Sequence, residues 1–136
     1  MNYERSKLHD ECVILAEAFK WSVRRGYDSE NFIKTVMTSE WGIHVMDGTY
    51  HSEWADELFL LSGFEEFIGL SKGDCYNELE MEFIGYLYKY WVDTRHLSSV
   101  DVYKIAPPSR IVKGYSFLHT QGYEYVIELL TDEYNG

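Results

Sequence analysis

Apolar residues recur along this chain at helical intervals, interrupted by short polar connectors. Between residues 3 and 25, Leu8, Cys12, Leu15, Phe19 and Val23 are spaced by three or four and share one helix face. Glu4 near the start and Arg24–Arg25 near the end suit the helix dipole, and Gly26 stops the helix. Asp28 or Ser29 then caps a shorter helix carrying Phe32, Ile33, Val36 and Met37. Ser39 begins another turn through Trp41 and Val45, which Asp47–Gly48 closes. A helix over about 52–61 follows, and Ser62-Gly63-Phe64-Glu65 has capping-box spacing for one further turn. Ser71-Lys72-Gly73-Asp74 is the clearest connector.

The second half opens with a long helix over about 75–94, striped by Leu79, Phe83, Tyr86, Leu87, Tyr90 and Trp91. Ser98-Ser99-Val100-Asp101 again has capping-box spacing, and its helix must end before Pro107–Pro108. Ser109 caps a short helix through Lys113, and Gly114 ends it. Residues 123–130 read as helix from Val126, Leu129 and Leu130, although Tyr123, Tyr125 and Ile127 alternate as in a strand.

The two halves follow one order: long helix, capped short helix, Ser-started turn, then a hydrophobe-His-hydroxyl-Glu/Gln stretch and a final helix. Glu11 aligns with Glu80, Lys20 with Lys89, and Tyr50-His51-Ser52-Glu53 with Leu118-His119-Thr120-Gln121. The expected fold is therefore all-α. It is a single compact domain, 1–136, built as a helical bundle of two similar units, 3–70 and 74–134, about a pseudo-twofold axis with the long helices central.

Composition narrows the function classes. The chain has 136 residues, enough to bury a core without metal or disulfide. Aromatics make up 17%, too many for intrinsic disorder. No apolar run is long enough for a signal peptide or a membrane span, so the expected location is the cytoplasm, with no membrane partner. Cys12 and Cys75, at arbitrary spacing on apolar-flanked helical segments, read as structural thiols. Twelve Lys and Arg against 23 Asp and Glu leave a net charge of −11, which argues against direct nucleic-acid binding and for a basic protein partner.

Motifs for catalysis are missing. The sequence has no Gly-x-Ser-x-Gly elbow, no phosphate-binding glycine loop and no His-Glu-x-x-His. His9 and Cys12 share a helix face, but no second cluster completes a zinc site, so no metal or cofactor is expected. An enzyme would have to use His51 or His119.

The charge map carries more. Residues 53–82 hold nine acids against Lys72 alone, whereas 83–123 has five Lys and Arg against Asp93 and Asp101. Phe59, Phe64, Phe67 and Tyr76 are interleaved with the acids. Charge for steering beside aromatic anchors suits a binder of basic protein, with Glu53, Asp56, Glu57, Glu65, Glu66, Glu78 and Glu82 as its contact residues. The competing reading pairs these acids internally with the basic stretch. A further alternative is a DNA-mimic inhibitor, whose carboxylates would imitate phosphates.

The stretch from Val100 through Gly114-Tyr115-Ser116-Phe117-Leu118-His119-Thr120-Gln121-Gly122 to Val126 resembles a small uncharacterised bacterial helical domain family with a Leu-His-Thr-Gln-Gly turn. Phe32-Ile33-Lys34 through Ser39 and Trp54-Ala55-Asp56-Glu57 are similar to related short proteins from the same gene neighbourhoods. Those neighbourhoods often include a candidate ADP-ribosyltransferase-like toxin. The resemblance implies an antitoxin-like or immunity-like protein whose partner is a cognate toxin. It brings no catalytic residues; Tyr115, His119 and Gln121 are the motif's candidate site residues, with His51 their counterpart in the first half.

Overall fold

A computed structural model describes residues 3–48, 56–67 and 69–136, and every regular element among them is a helix. His51, Glu53 and Trp54, and the Phe67 side chain, lie outside the described residues. The helices are α1 (Tyr3–Arg24), α2 (Ser29–Thr38), α3 (Glu40–Met46), α4 (Glu57–Phe67), α5 (Glu78–Arg95), α6 (Ser99–Ile105), α7 (Pro108–Lys113), α8 (Tyr115–Leu118) and α9 (Tyr123–Asn135). The all-α expectation holds, and 123–130 is helix rather than strand.

α1 and α5 form the central pair. Ion pairs Lys20–Glu82 and Arg24–Glu78 match later residues of α1 with earlier residues of α5, so the helices run antiparallel. They approach closely because a small residue stands at the crossing. A Cβ on Gly85 would lie 2.8 Å from the Leu15 carbonyl oxygen and 3.0 Å from the Ala16 Cα. α4 packs on α1, α2 on α3 and α6, and α9 on α5 and α6. An edge-to-face chain of rings, Phe19–Phe32–Phe64–Trp41, links α1, α2, α4 and α3 through the core, with centroids 5.0–5.8 Å apart.

Three helix starts were legible in the capping residues. The Asp28 carboxylate accepts from Asn31 N–H at 2.9 Å, Ser39 Oγ from Gly42 at 3.1 Å and Ser98 Oγ from Asp101 at 3.1 Å. The long second helix starts later than the apolar pattern implied. Asn77 and Glu80 form a reciprocal capping box there, leaving Cys75 in the connector. α7 begins at Pro108 behind Pro107, so Ser109 lies inside the helix rather than capping it.

The expected capping box at Ser62–Glu65 does not form. α4 runs straight through these residues because Leu60, Leu61 and Phe64 bury on one face, and Glu65 turns outward to Arg25 and Tyr27. The connector after α4 is stitched to the α1–α2 turn. Asp28 N–H donates to the Ser71 carbonyl at 2.8 Å and Ser29 N–H to Asp74 at 2.9 Å, with an isolated bridge between Tyr27 and Lys72. Gly26, at φ +75°, makes that turn possible.

Candidate functional site

The acids of 57–82 do not form one free surface. Glu65 takes Arg25 at 2.8 Å and the Tyr27 hydroxyl; Glu78 takes Arg24 at 3.0 Å; Glu82 takes Lys20 at 3.3 Å. Burial alone would raise the Glu65 carboxyl, but the Tyr27 hydroxyl and the Arg25 guanidinium outweigh it and hold it below the ordinary range. The Glu78 carboxyl is lowered by its bond to Arg24. Lys20 and Arg24 belong to α1, and Arg25 follows its last residue. The described pairs of the 83–123 stretch lie elsewhere, Lys89 with Asp93, Arg95 with Glu124 and Arg110 with Glu133. Internal pairing is therefore real, but with different partners from those the charge map offered.

Of the remaining acids, Asp74 is exposed in the connector and Glu80 caps α5, and the others lie on or beside α4. Asp56 caps the helix, accepting from Phe59 N–H at 2.9 Å, and Glu57 and Glu66 carry charge beside it. Leu58 and Phe59 are 40% and 46% exposed, while Phe64 is fully buried and Tyr76 half-buried.

A second feature lies between α1, α5, α8 and the start of α9. It is an open groove of about 390 Å³, lined by Val13 and Glu17 of α1, Glu82, Phe83 and Tyr86 of α5, and Tyr115, His119 and Tyr123, among others. Its rings are ordered in two stacks. Tyr115 and His119 lie 4.5 Å apart at 9°, one helical turn from each other, and Tyr86 and Tyr123 lie 4.4 Å apart at 15°. Phe83 joins the stacks, edge-on to Tyr115 and nearly parallel to Tyr123. Burial, and the proximity of Tyr123 and Tyr86 to other ionisable groups, push both hydroxyls up to about 12. Tyr115 is raised by burial and then by Glu80 and Glu82. All three are neutral at physiological pH, so the groove's negative charge comes from Glu17 and Glu82.

Two of the motif residues, Tyr115 and His119, meet in this groove, whereas Gln121 does not line it. Much of the Leu-His-Thr-Gln-Gly stretch fastens its own turn. His119 Nδ1 donates to the Tyr115 carbonyl at 2.7 Å, Thr120 Oγ1 to Phe117 at 2.6 Å and Gln121 Nε2 to Thr120 Oγ1 at 2.9 Å. Sequence reasoning missed Tyr86, Phe83 and Tyr123 as site residues, having placed the first two in a core stripe. It also missed Glu17, whose helix looked ordinary.

His9 Nδ1 lies 2.8 Å from the Tyr86 hydroxyl, and Cys12 is buried with its thiol pushed up chiefly by desolvation. Cys75, expected on a helix, is instead exposed, its thiol donating to the Tyr27 carbonyl at 3.1 Å. Among the described residues no cluster of three or more His, Cys, Asp or Glu is placed to hold a metal ion. No helix among them is long and apolar enough to cross a membrane.

Fold and surface thus define a small all-α bundle with an acidic α4 face and an aromatic groove. No protein-family model matches the chain, and comparison with curated proteins and with solved structures finds no match.

Proposed function

We propose that this chain is a non-catalytic protein-binding module that neutralises or regulates a basic partner, in the manner of an antitoxin or immunity protein. The observation that carries this reading is the α4 face. Leu58 and Phe59 stand exposed side by side, with Asp56 and Glu57 before them and Glu66 two turns after Phe59. Apolar anchors supply affinity once desolvated, and surrounding charge steers the encounter and selects the sign of the partner. The resemblance of the second half to a small uncharacterised family found near toxin candidates is what suggests a toxin as that partner.

Other readings draw less support. Phosphate mimicry would need free rows of carboxylates, and Glu65, Glu78 and Glu82 are held by Arg25, Arg24 and Lys20. A catalytic His119 would need a pocket that sets it beside a carboxylate; it shares the groove with Glu17 and Glu82, but its Nδ1 hydrogen goes to the Tyr115 carbonyl and its ring stacks on Tyr115, contacts that fasten its own turn.

The test is affinity capture from the native host, comparing the tagged chain with Leu58→Ser/Phe59→Ser and Glu57→Lys/Glu66→Lys variants. One basic protein should be retained by the parent chain and lost by both variants. Equal retention by all three would overturn the α4 assignment.

The two-unit organisation is part of this proposal. The register that aligns Glu11 with Glu80 also aligns the buried residues Cys12, Leu15, Ala16 and Phe19 with the buried Met81, Ile84, Gly85 and Tyr88. Ala16 and Gly85, equivalent in that register, meet at the α1–α5 crossing, where a twofold axis would bring equivalent residues together. Ser29 and Ser99, the buried first residues of α2 and α6, extend the correspondence.

A further inference from the structure

We infer that the groove between α1, α5 and α8 receives an arginine side chain presented by the basic partner. The inference rests on the binding reading but concerns a surface distinct from the α4 face.

An arginine side chain is a planar cation on an alkyl stem, and the groove is built in the matching order. Its rim is apolar, with Leu79 63% exposed and Val13 38% exposed, suited to the stem. Its walls are the Tyr115–His119 and Tyr86–Tyr123 stacks with Phe83 between them. Electron-rich ring faces attract a cation within about 6 Å of the centroid, and a flat guanidinium stacks on them where an ammonium cannot. Its charge is anionic, from Glu17 and Glu82, and no Lys or Arg lines it.

Lys20 completes the arrangement without entering the lining. Its Nζ lies 2.9 Å from Glu17 Oε2 and 3.3 Å from Glu82 Oε2, a link between the two carboxylates. The Glu82 contact is the longer of the two, and so the one an incoming guanidinium displaces more easily. An arginine in the groove therefore competes with Lys20 for Glu82, and removing the Lys20 charge frees both carboxylates for the guanidinium.

The probe is a short capped peptide, acetyl-Gly-Arg-Gly-amide, titrated into the full chain and followed by amide chemical shifts. Its Lys and citrulline counterparts and the free cation agmatine are run alongside. Shifts should centre on Glu82, Tyr86, Tyr115, His119 and Tyr123, and the Arg peptide should bind more tightly than the Lys peptide and agmatine. The citrulline peptide, which keeps the shape and loses the charge, should bind about tenfold or more weakly. Glu82→Gln should weaken Arg binding severalfold, whereas Lys20→Gln should strengthen it, a gain that loss of folding cannot produce.

Equal binding of the citrulline or Lys peptide, tighter binding of agmatine, or no response to both variants would overturn the inference. Failure here with α4-dependent capture intact removes only the groove. Loss of α4-dependent capture with peptide binding intact removes only the α4 assignment.

Discussion

Glu65 shows how much a single side chain depends on its neighbours. In the sequence it is one acid among nine between residues 53 and 82, with capping-box spacing from Ser62. In the fold it joins α4 to the end of α1 through Arg25 and Tyr27. Because its folded pKa is lowered, its contribution to stability is fully present above the unfolded value near 4.5 and is lost as pH falls through the folded value. Glu65→Gln should therefore cost at most about 1 kcal/mol at neutral pH, given the partial exposure of the pair. The melting-temperature gap between parent and variant should close as pH drops below that window; a gap that stays constant would count against this pairing. Such pairings were not legible beforehand, because carboxylates that look alike in sequence differ only in which cation the fold brings near. Tyr115 and His119 were candidates through the motif's resemblance, and their stacking across one helical turn is what the structure adds. Tyr86 and Tyr123 required α9 to fold back on α5.

At the scale of elements, apolar spacing and capping residues located nearly every helix, and the departures have specific causes. α4 is continuous because burial of Leu60, Leu61 and Phe64 outweighs a cap that would have satisfied one orphan donor pair. The stripe read for α5 was incomplete. Leu79 is exposed, while Met81, Ile84, Gly85, Tyr88 and Lys89 are buried, since this helix is enclosed on more than one side. Gly85 sets the α1–α5 distance. Gly85→Ala gains about 1 kcal/mol of helix propensity but overpacks a backbone contact, a cost of about 1–3 kcal/mol. The net expectation is a melting temperature lower by a few degrees, read by thermal denaturation. An increase would mean that the two helices separate easily.

For the molecule as a whole, the most extensive helix pairing joins the two halves rather than closing either one. Lys20 and Arg24 on α1 also reach across to Glu82 and Glu78, whereas the Arg25–Glu65 pair stays within the first half. Fragments 1–70 and 74–136 expressed separately should therefore lack a cooperative unfolding transition and regain it when mixed. A fragment that melts cooperatively alone would show an independent domain. The sequence by itself determined the helical class, the order of the helices and the caps at Asp28, Ser39 and Ser98, because these depend on residues a few positions apart. It also placed the acidic excess. Tertiary structure decided which acids are neutralised, that α4 presents Leu58 and Phe59, and that rings from three separate helices face one groove. Those outcomes depend on contacts between segments distant in the chain, to which local spacing and composition are blind.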